Sequence, residues 1–390
     1  MSVAKGEDGY NTTRQSLEAL DFIPKDLQNK RVMIKPNAGR LVDPNLGINT
    51  SPQVVAAVID YFLEADVKDI VVAESPILGV KALDTLEKCG IAEVARKRNI
   101  PLIDLDAEKP ISVDVPDGKV VKHLKICKEV LNTDFIVSVP VMKTHMHTQV
   151  SLSIKNMKGC LYEREKVRLH QLPSTKQIPS DIKPLDAAVV DLVRILIPDM
   201  SVIDGTIGLE GMGPSAGDSK QFGVIVSSLN CLAADIIAAE LMGKNINEIK
   251  HLKYLISEIN EFDKEYNFSK DKIQVSPSDY KKWITEFLPP PEKISLEFKN
   301  VIVEDKDSCS ACLSTVLMFL KRYHEGFADY FSPENPLRIS LGKAIGTQQE
   351  KTLLIGNCTA KQRKGCIFVK GCPPVASQIY QELKDNFDIK

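Results

Sequence analysis

Five of the nine cysteines lie from residue 309 onward, as Cys309-Ser-Ala-Cys312, Cys358, Cys366 and Cys372. Thiols gathered in a chain without secretory features read as metal ligands rather than as structural disulfides. Cys309 and Cys312 stand three residues apart at an expected helix start, so both sulfurs can reach one metal centre and the helix dipole favours thiolate over thiol. Cys358 follows the apolar run Leu353-Leu354-Ile355 and should emerge where a strand ends. Cys372 sits between Gly371 and Pro373, where glycine permits close backbone approach and a proline after the ligand matches the Cys-Pro ending of ferredoxin-type motifs. These four define an expected [4Fe-4S] cluster. Zinc is the alternative, but a zinc ribbon would supply a second close pair, whereas seven and five residues intervene between the downstream cysteines. Cys366 is set aside, because alternation along Cys366–Val369 can turn it into the sheet. Cys89, Cys127, Cys160 and Cys231 are scattered and read as small buried hydrophobes.

Three polar groups follow apolar runs, where α/β folds place their ligands. Lys35-Pro36-Asn37 and Glu74-Ser75-Pro76 end two such runs; they suit an acidic substrate or a metal, or are solvated turns with Asn37 and Ser75 as caps. The second group is Lys143, His145 and His147, continuing into Lys155 and Asn156. Lysine can pair with carboxylate or phosphate, and imidazole can shuttle a proton or bind a metal. His170 is a further candidate from the next segment. The third is Asp204-Gly-Thr-Ile-Gly-Leu-Glu210-Gly-Met-Gly-Pro214-Ser-Ala-Gly217, expected as a loop that offers backbone N–H groups to an anion, with Asp204 and Glu210 for metal binding or proton transfer. A surface turn is the plainer reading of the same glycines. No Walker or dinucleotide fingerprint is present. Asp235 either faces that loop or satisfies a helix end.

Positioning these groups requires strands alternating with helices. Strands are expected at Arg31–Pro36, Asp69–Glu74, Phe135–Pro140, Met200–Asp204 and Phe222–Ser227, with helices from Pro52 and near 185–196 and 231–242. This rhythm predicts an α/β fold with a largely parallel sheet flanked by helices over 1–245. A charged connector follows over 246–295, with Pro289-Pro290-Pro291 as linker. A second, smaller α/β cysteine-rich domain is expected over 296–390, with strands at 296–304, 337–341, 353–355 and 367–369 and helices at 310–323 and 375–383. At 390 residues two domains are the natural expectation. With 50 basic against 52 acidic residues, bulk charge recruits neither nucleic acid nor membrane. No apolar run approaches the ~20 residues of a membrane span, and the first residues lack a signal's apolar core, so a reducing cytoplasm is expected.

Together, Ile34-Lys-Pro-Asn37, Val139-Pro-Val-Met-Lys-Thr-His145, Ser153-Ile-Lys-Asn-Met-Lys-Gly159, Val202-Ile-Asp-Gly205, Glu210-Gly-Met-Gly-Pro214 and Asn230-Cys-Leu-Ala-Ala-Asp235 resemble the domain of unknown function 362 family over roughly 30–245. Members of that family are often joined to iron–sulfur modules, and Gly371-Cys372-Pro373-Pro374 resembles a ligand element in the quinone-side iron–sulfur subunit of respiratory complex I. The chain departs from the usual arrangement in lacking a ferredoxin-like run of four close cysteines. The resemblance implies no agreed reaction. The expectation is a cytoplasmic iron–sulfur oxidoreductase of anaerobic metabolism. Lys143, His145, Lys155, Asn156, Asp204 and Glu210 would bind an anionic small molecule near the cluster, with a redox protein as partner and a homo-oligomer left open. The alternatives are a cluster-dependent hydro-lyase or isomerase, with His145 or a carboxylate moving the proton, and a non-catalytic electron carrier docking to a larger enzyme.

Overall fold

A computed structural model of the chain describes residues 1–262, 268–291, 297–343, 351–362, 365–387 and 389. Its strands are β1 (Ser2–Lys5), β2 (Arg31–Pro36), β3 (Asp69–Glu74), β4 (Leu102–Asp104), β5 (Ile111–Asp114), β6 (His123–Ile126), β7 (Phe135–Val139), β8 (Val141–His145), β9 (Gln149–Ser151), β10 (Met200–Glu210), β11 (Asp218–Ser228), β12 (Val301–Lys306), β13 (Leu337–Gly342), β14 (Leu353–Ile355) and β15 (Ile367–Val369). The larger unit is an α/β fold around a nine-stranded mixed sheet in the order β1-β11-β10-β7-β2-β3-β4, with β8 on β10 and β9 on β8. Its centre is parallel: β10, β7, β2, β3 and β4 run the same way. Apolar runs such as Val32-Met33-Ile34, wholly buried, fit strands covered on both faces.

The helix Pro52–Glu64 covers one face. Proline opens it, and the Asp204 carboxylate accepts the Ser51 amide at its start, 2.8 Å away. Two antiparallel pairs close the other end of the sheet, β10 with β11 and β1 with β11.

The glycine-rich run differs from expectation. Residues 204–210 continue β10 instead of forming a loop, and only the stretch between Glu210 and Asp218 turns. Crowding explains the glycines here: a side chain at Gly205 would meet Met142 Sδ at 2.7 Å, and one at Gly208 the Phe287 ring at 2.6 Å. Likewise Lys143 and His145 lie on β8, paired antiparallel with β9, rather than in a strand-end loop.

Residues expected to connect the two units supply Leu252, Tyr254, Leu255, Tyr280 and Phe287 to the same core as the sheet. The expected domain boundary at 295/296 and the expected strand start at Leu296 lie outside the described residues; β12 itself begins at Val301.

The smaller unit is a four-stranded parallel sheet, β12-β13-β14-β15, with the helices Ser310–Phe327 and Ala376–Phe387 packed together through stacked Tyr323 and Tyr380, ring centroids 4.3 Å apart. The turn after β10 enters its core with Ala216 and Met212, joined by Met146 and Val167. The two units therefore share packed surface, and no described helix is long and apolar enough to cross a membrane.

Phe287 is fully buried and meets Phe222 edge-on at 5.4 Å. Phe287→Ala should cost about 3–5 kcal/mol in denaturant unfolding of the larger unit. A loss below about 1 kcal/mol would show that the segment merely lies against the sheet.

Candidate functional site

Parallel strands point their C-terminal ends one way, and here the ends of two sheets meet. The residues after β2 and β3 face Cys309, Ser310 and Ala311 after β12 across a cavity of about 170 Å³. Into it project Lys35, Arg40, Lys143, Lys155, Lys158 and Lys166, with Glu74 as its one lining carboxylate among the described residues.

Two of these cations are neutralised. Lys35 Nζ is 2.6 Å from Glu74 Oε1, both buried, and Glu74 also accepts the Ala38 and Ser75 amides. Gly159 leaves room for this pair, since a Cβ there would stand 2.8 Å from Lys35 Nζ. Lys166 bonds Ser75 Oγ and pairs with Asp106. Lys143 donates to Asn37 Oδ1 at 2.5 Å and to the Ile48 carbonyl, so its contacts are neutral. Arg40 donates to Ser215 Oγ, while Lys155 donates no hydrogen bond among the described residues.

The uncompensated charge shows in the proton affinities. Burial, then Arg40, lowers Lys143 to about 7, and burial with nearby Lys143 lowers Lys155 to about 7. Burial followed by Lys155 pushes Lys158 well down, and burial takes Arg40 to about 10 against the pull of Cys309 and Cys312. His145 and His170 are likewise held neutral, first by burial and then by neighbouring cations. His145 Nδ1 accepts the His147 amide at 3.0 Å, so the neutral ring carries its proton on Nε2, which faces Ser310 Oγ at 3.4 Å. His145 is thus a hydrogen-bond donor toward the cavity. His170 Nε2 receives Lys158 and lies 3.5 Å from the same hydroxyl.

Asn156 and Lys155 are presented by the short helix Ser153–Asn156, whose first two amides are both accepted by the buried Asp235 carboxylate. Of the two roles open to Asp235, the helix-end role is the one observed; burial, opposed by those amides, raises it to about 7. Asn156 then spans Ser138 Oγ, the Lys35 carbonyl and Asn37.

Cys312, Cys358 and Cys372 gather beside Cys309, away from the cavity. They follow β12, β14 and β15 on one sheet edge, and the strongest influences on the Cys312 thiol are Cys309, then its burial, with Cys372 and Cys358 further neighbours. The Cys312 thiol and the first-turn amides of Ala311 and Cys312 bring Cys309 down to about 6. Gln171 Nε2 lies 3.0 Å from Cys358 Sγ and Arg164 3.7 Å from Cys372 Sγ. Tetrahedral zinc needs sulfurs about 3.8 Å apart. Among the described residues no three His, Cys, Asp or Glu side chains are grouped for a single ion. Cys366 is half-buried beside β15 and is not among the chief influences on Cys312 or Cys358. Cys89, Cys127, Cys160 and Cys231 are buried, as expected.

Of the expected site residues, Lys143, His145, Lys155 and Asn156 line the cavity, joined by Lys35, Asn37, Glu74 and His170. Asp204 and Glu210 do not. Asp204 is spent on the Ser51 amide and on Thr206, and Glu210 on Lys220 and the Leu288 amide. Arg40 and Ser310 escaped the sequence reading. Arg40's only sequence signal was its place three residues after Asn37, and Ser310's was its place beside Cys309.

The fold and cleft define a two-unit α/β protein with a cation-lined cavity between facing parallel-strand ends. The family described as domain of unknown function (DUF362) matches residues 32–240, and the chain belongs to it. A thylakoid-associated protein of Synechocystis sp. is 26% identical over 212 residues, covering 54% of this chain and 63% of that protein. The chain thus spans less than two thirds of that relative's length. Among solved structures, the lactate racemase apoprotein of Thermoanaerobacterium thermosaccharolyticum is 13% identical with a TM-score of 0.42, over 63% of this chain and 57% of the other. A Thermotoga maritima protein is 12% identical with a TM-score of 0.31, over 61% and 60%.

Lys155 yields a test with a definite sign. Its folded affinity, about 7 against an ordinary 10.5, means the unfolded chain holds the extra proton between those values. The stability of the ligand-free protein should therefore rise as pH increases from about 7. Lys155→Met should raise the melting temperature at pH 6.5 and low salt by about 2–4 °C and flatten that rise. A lowered melting temperature would mean that the charge is satisfied in the folded state. Asp204→Ala, which strands three donors, should cost about 2–4 kcal/mol in denaturant unfolding. A loss under about 0.5 kcal/mol would return Asp204 to the list of functional groups.

Proposed function

We propose that this chain is an iron–sulfur oxidoreductase in which Cys309, Cys312, Cys358 and Cys372 hold a [4Fe-4S] cluster beside a cavity for an anionic small molecule. The observation that carries this reading is a shared wall: Cys309 belongs both to the gathered thiols and to the lining of a cavity in which Arg40, Lys143, Lys155 and Lys158 have no carboxylate salt bridge among the described residues. The donor set fits the cluster. Three parallel strand ends supply the four thiols, Cys309 is acidified, and Arg164 and Gln171 stand where they can donate to ligand sulfurs.

When bound, such a cluster supplies one-electron transfer. The protein's own part is to bind and orient: Arg40, Lys143, Lys155 and Lys158 balance the anion's charge, and His145 Nε2–H and Ser310 donate to it. His145 serves poorly as a proton-abstracting base with its Nδ1 occupied, which weighs against the hydro-lyase alternative. An electron carrier without turnover is favoured by one observation, the exposure of Cys358, which suits exchange with a redox protein. A reducing cytoplasm remains the proposed setting for such free thiols.

Anaerobic purification with iron, sulfide and electron paramagnetic resonance analysis tests the cluster. About four iron and four sulfide per chain are expected. Cys372→Ser should lower both sharply and Cys366→Ser should leave them nearly intact. Stoichiometric zinc without sulfide, or equal losses in the two variants, would contradict the assignment.

A further inference from the structure

The end of the smaller sheet that carries the thiols is also where that unit concentrates positive charge. Between Glu350 and Glu382 the sequence holds five Lys or Arg residues and no Asp or Glu, in a chain whose totals nearly cancel at 50 basic and 52 acidic. Cys358, Cys366 and Cys372 all fall in that stretch.

Two of these cations flank the thiols. Cys358 and Lys361 lie in the 3-10 helix Asn357–Gln362, where residues three apart eclipse one another, so they share a face. Lys370 follows β15, two residues before Cys372. The two loops are tied together: the Asn357 amide donates to the Gly371 carbonyl at 2.9 Å and the Gly371 amide to Asn357 Oδ1 at 3.1 Å, so both lysines stand at the same end of the sheet. The larger unit adds Arg164 and Arg168, which line an open groove of about 300 Å³ together with Cys358 and Cys372. Arg168 pairs with Glu165, whereas Arg164, Lys361 and Lys370, all exposed, have no carboxylate partner among the described residues.

Exposed charges of this kind add little to stability and act on what approaches, steering an oppositely charged partner and fixing its orientation. Val375, three residues after Cys372 and 61% exposed, offers the apolar contact that protein interfaces place inside a polar rim. Cys358 distinguishes this face from a general polyanion site: an exposed ligand brings the cluster's edge to the surface, where an electron can cross.

We propose that the groove lined by Arg164 and Cys358, rimmed by Lys361 and Lys370, docks a small acidic electron-transfer protein of the ferredoxin class. One electron passes from the reduced carrier to the oxidised cluster, and no bond forms or breaks. This inference rests on the cluster half of the function proposed above.

Isothermal titration calorimetry of the full chain at low salt, with an acidic ferredoxin and a basic cytochrome c as probes, tests it. The ferredoxin should bind at least about tenfold more tightly than the cytochrome, and its binding should weaken about tenfold or more between about 20 and 200 mM salt. Lys361→Glu combined with Lys370→Glu should weaken ferredoxin binding at least about tenfold. The melting curve and the iron and sulfide content of this double variant should stay close to the parent's, because both side chains are exposed and neither is a thiol ligand. Equal binding of the two probes, or a double variant that binds ferredoxin as the parent does, overturns the docking face. Tighter binding of a single-stranded DNA oligonucleotide or of phosphatidylglycerol vesicles also overturns it, assigning the cations to another polyanion. A chain that holds its cluster yet binds no ferredoxin overturns this inference alone. A chain without iron or sulfide whose ferredoxin binding still depends on Lys361 and Lys370 supports the docking face and contradicts the cluster.

Discussion

Buried like charge is the constraint on which the rest of this molecule turns. Bringing several cations together out of water costs free energy, and the interior's lower dielectric strengthens their repulsion. Lys35 with Glu74 and Lys166 with Asp106 relieve part of it. The remainder is relieved by loss of protons, which is why Lys143 and Lys155 fall to about 7. A protein that keeps such an arrangement gives up stability in the empty state, which is the usual signature of a site organised for something it binds.

Much of the scaffold is there to hold that arrangement in place. Asp204 fixes the start of the helix Pro52–Glu64, and Asp235 fixes the short helix that presents Lys155 and Asn156. Both are buried carboxylates fully occupied with amides and hydroxyls, so they position the site without touching its contents. The turn after β10 brings the second unit against the first. A side chain at Gly213 would lie 1.9 Å from the Thr144 carbonyl oxygen, so only glycine allows this turn to approach β8 while Ala216 enters the smaller unit's core.

The sequence was legible where periodicity and local chemistry agreed. Arg31–Pro36, Asp69–Glu74, Leu353–Ile355 and Ile367–Val369 are strands within the expected bounds, because short apolar runs ending in proline, glycine or polar residues have few other solutions. Lys143, His145, Lys155 and Asn156 were found from their density along one stretch. Asp204 and Glu210 misled because glycine signals a flexible loop and close packing equally well; the distinction lies with Met142 and Phe287, which are remote in sequence. Arg40 and Ser310 reach the cavity only through the way the units meet, a relation no local pattern encodes.

An anaerobic crystal structure soaked with a small anion bears most directly on the central claim that a thiolate-held cluster and an anion share the wall at Cys309. The account predicts density for a four-iron cluster bonded to Cys309, Cys312, Cys358 and Cys372, with the anion between Arg40, Lys155 and Ser310. A single zinc ion at the thiols, or a cavity holding only water, would contradict it.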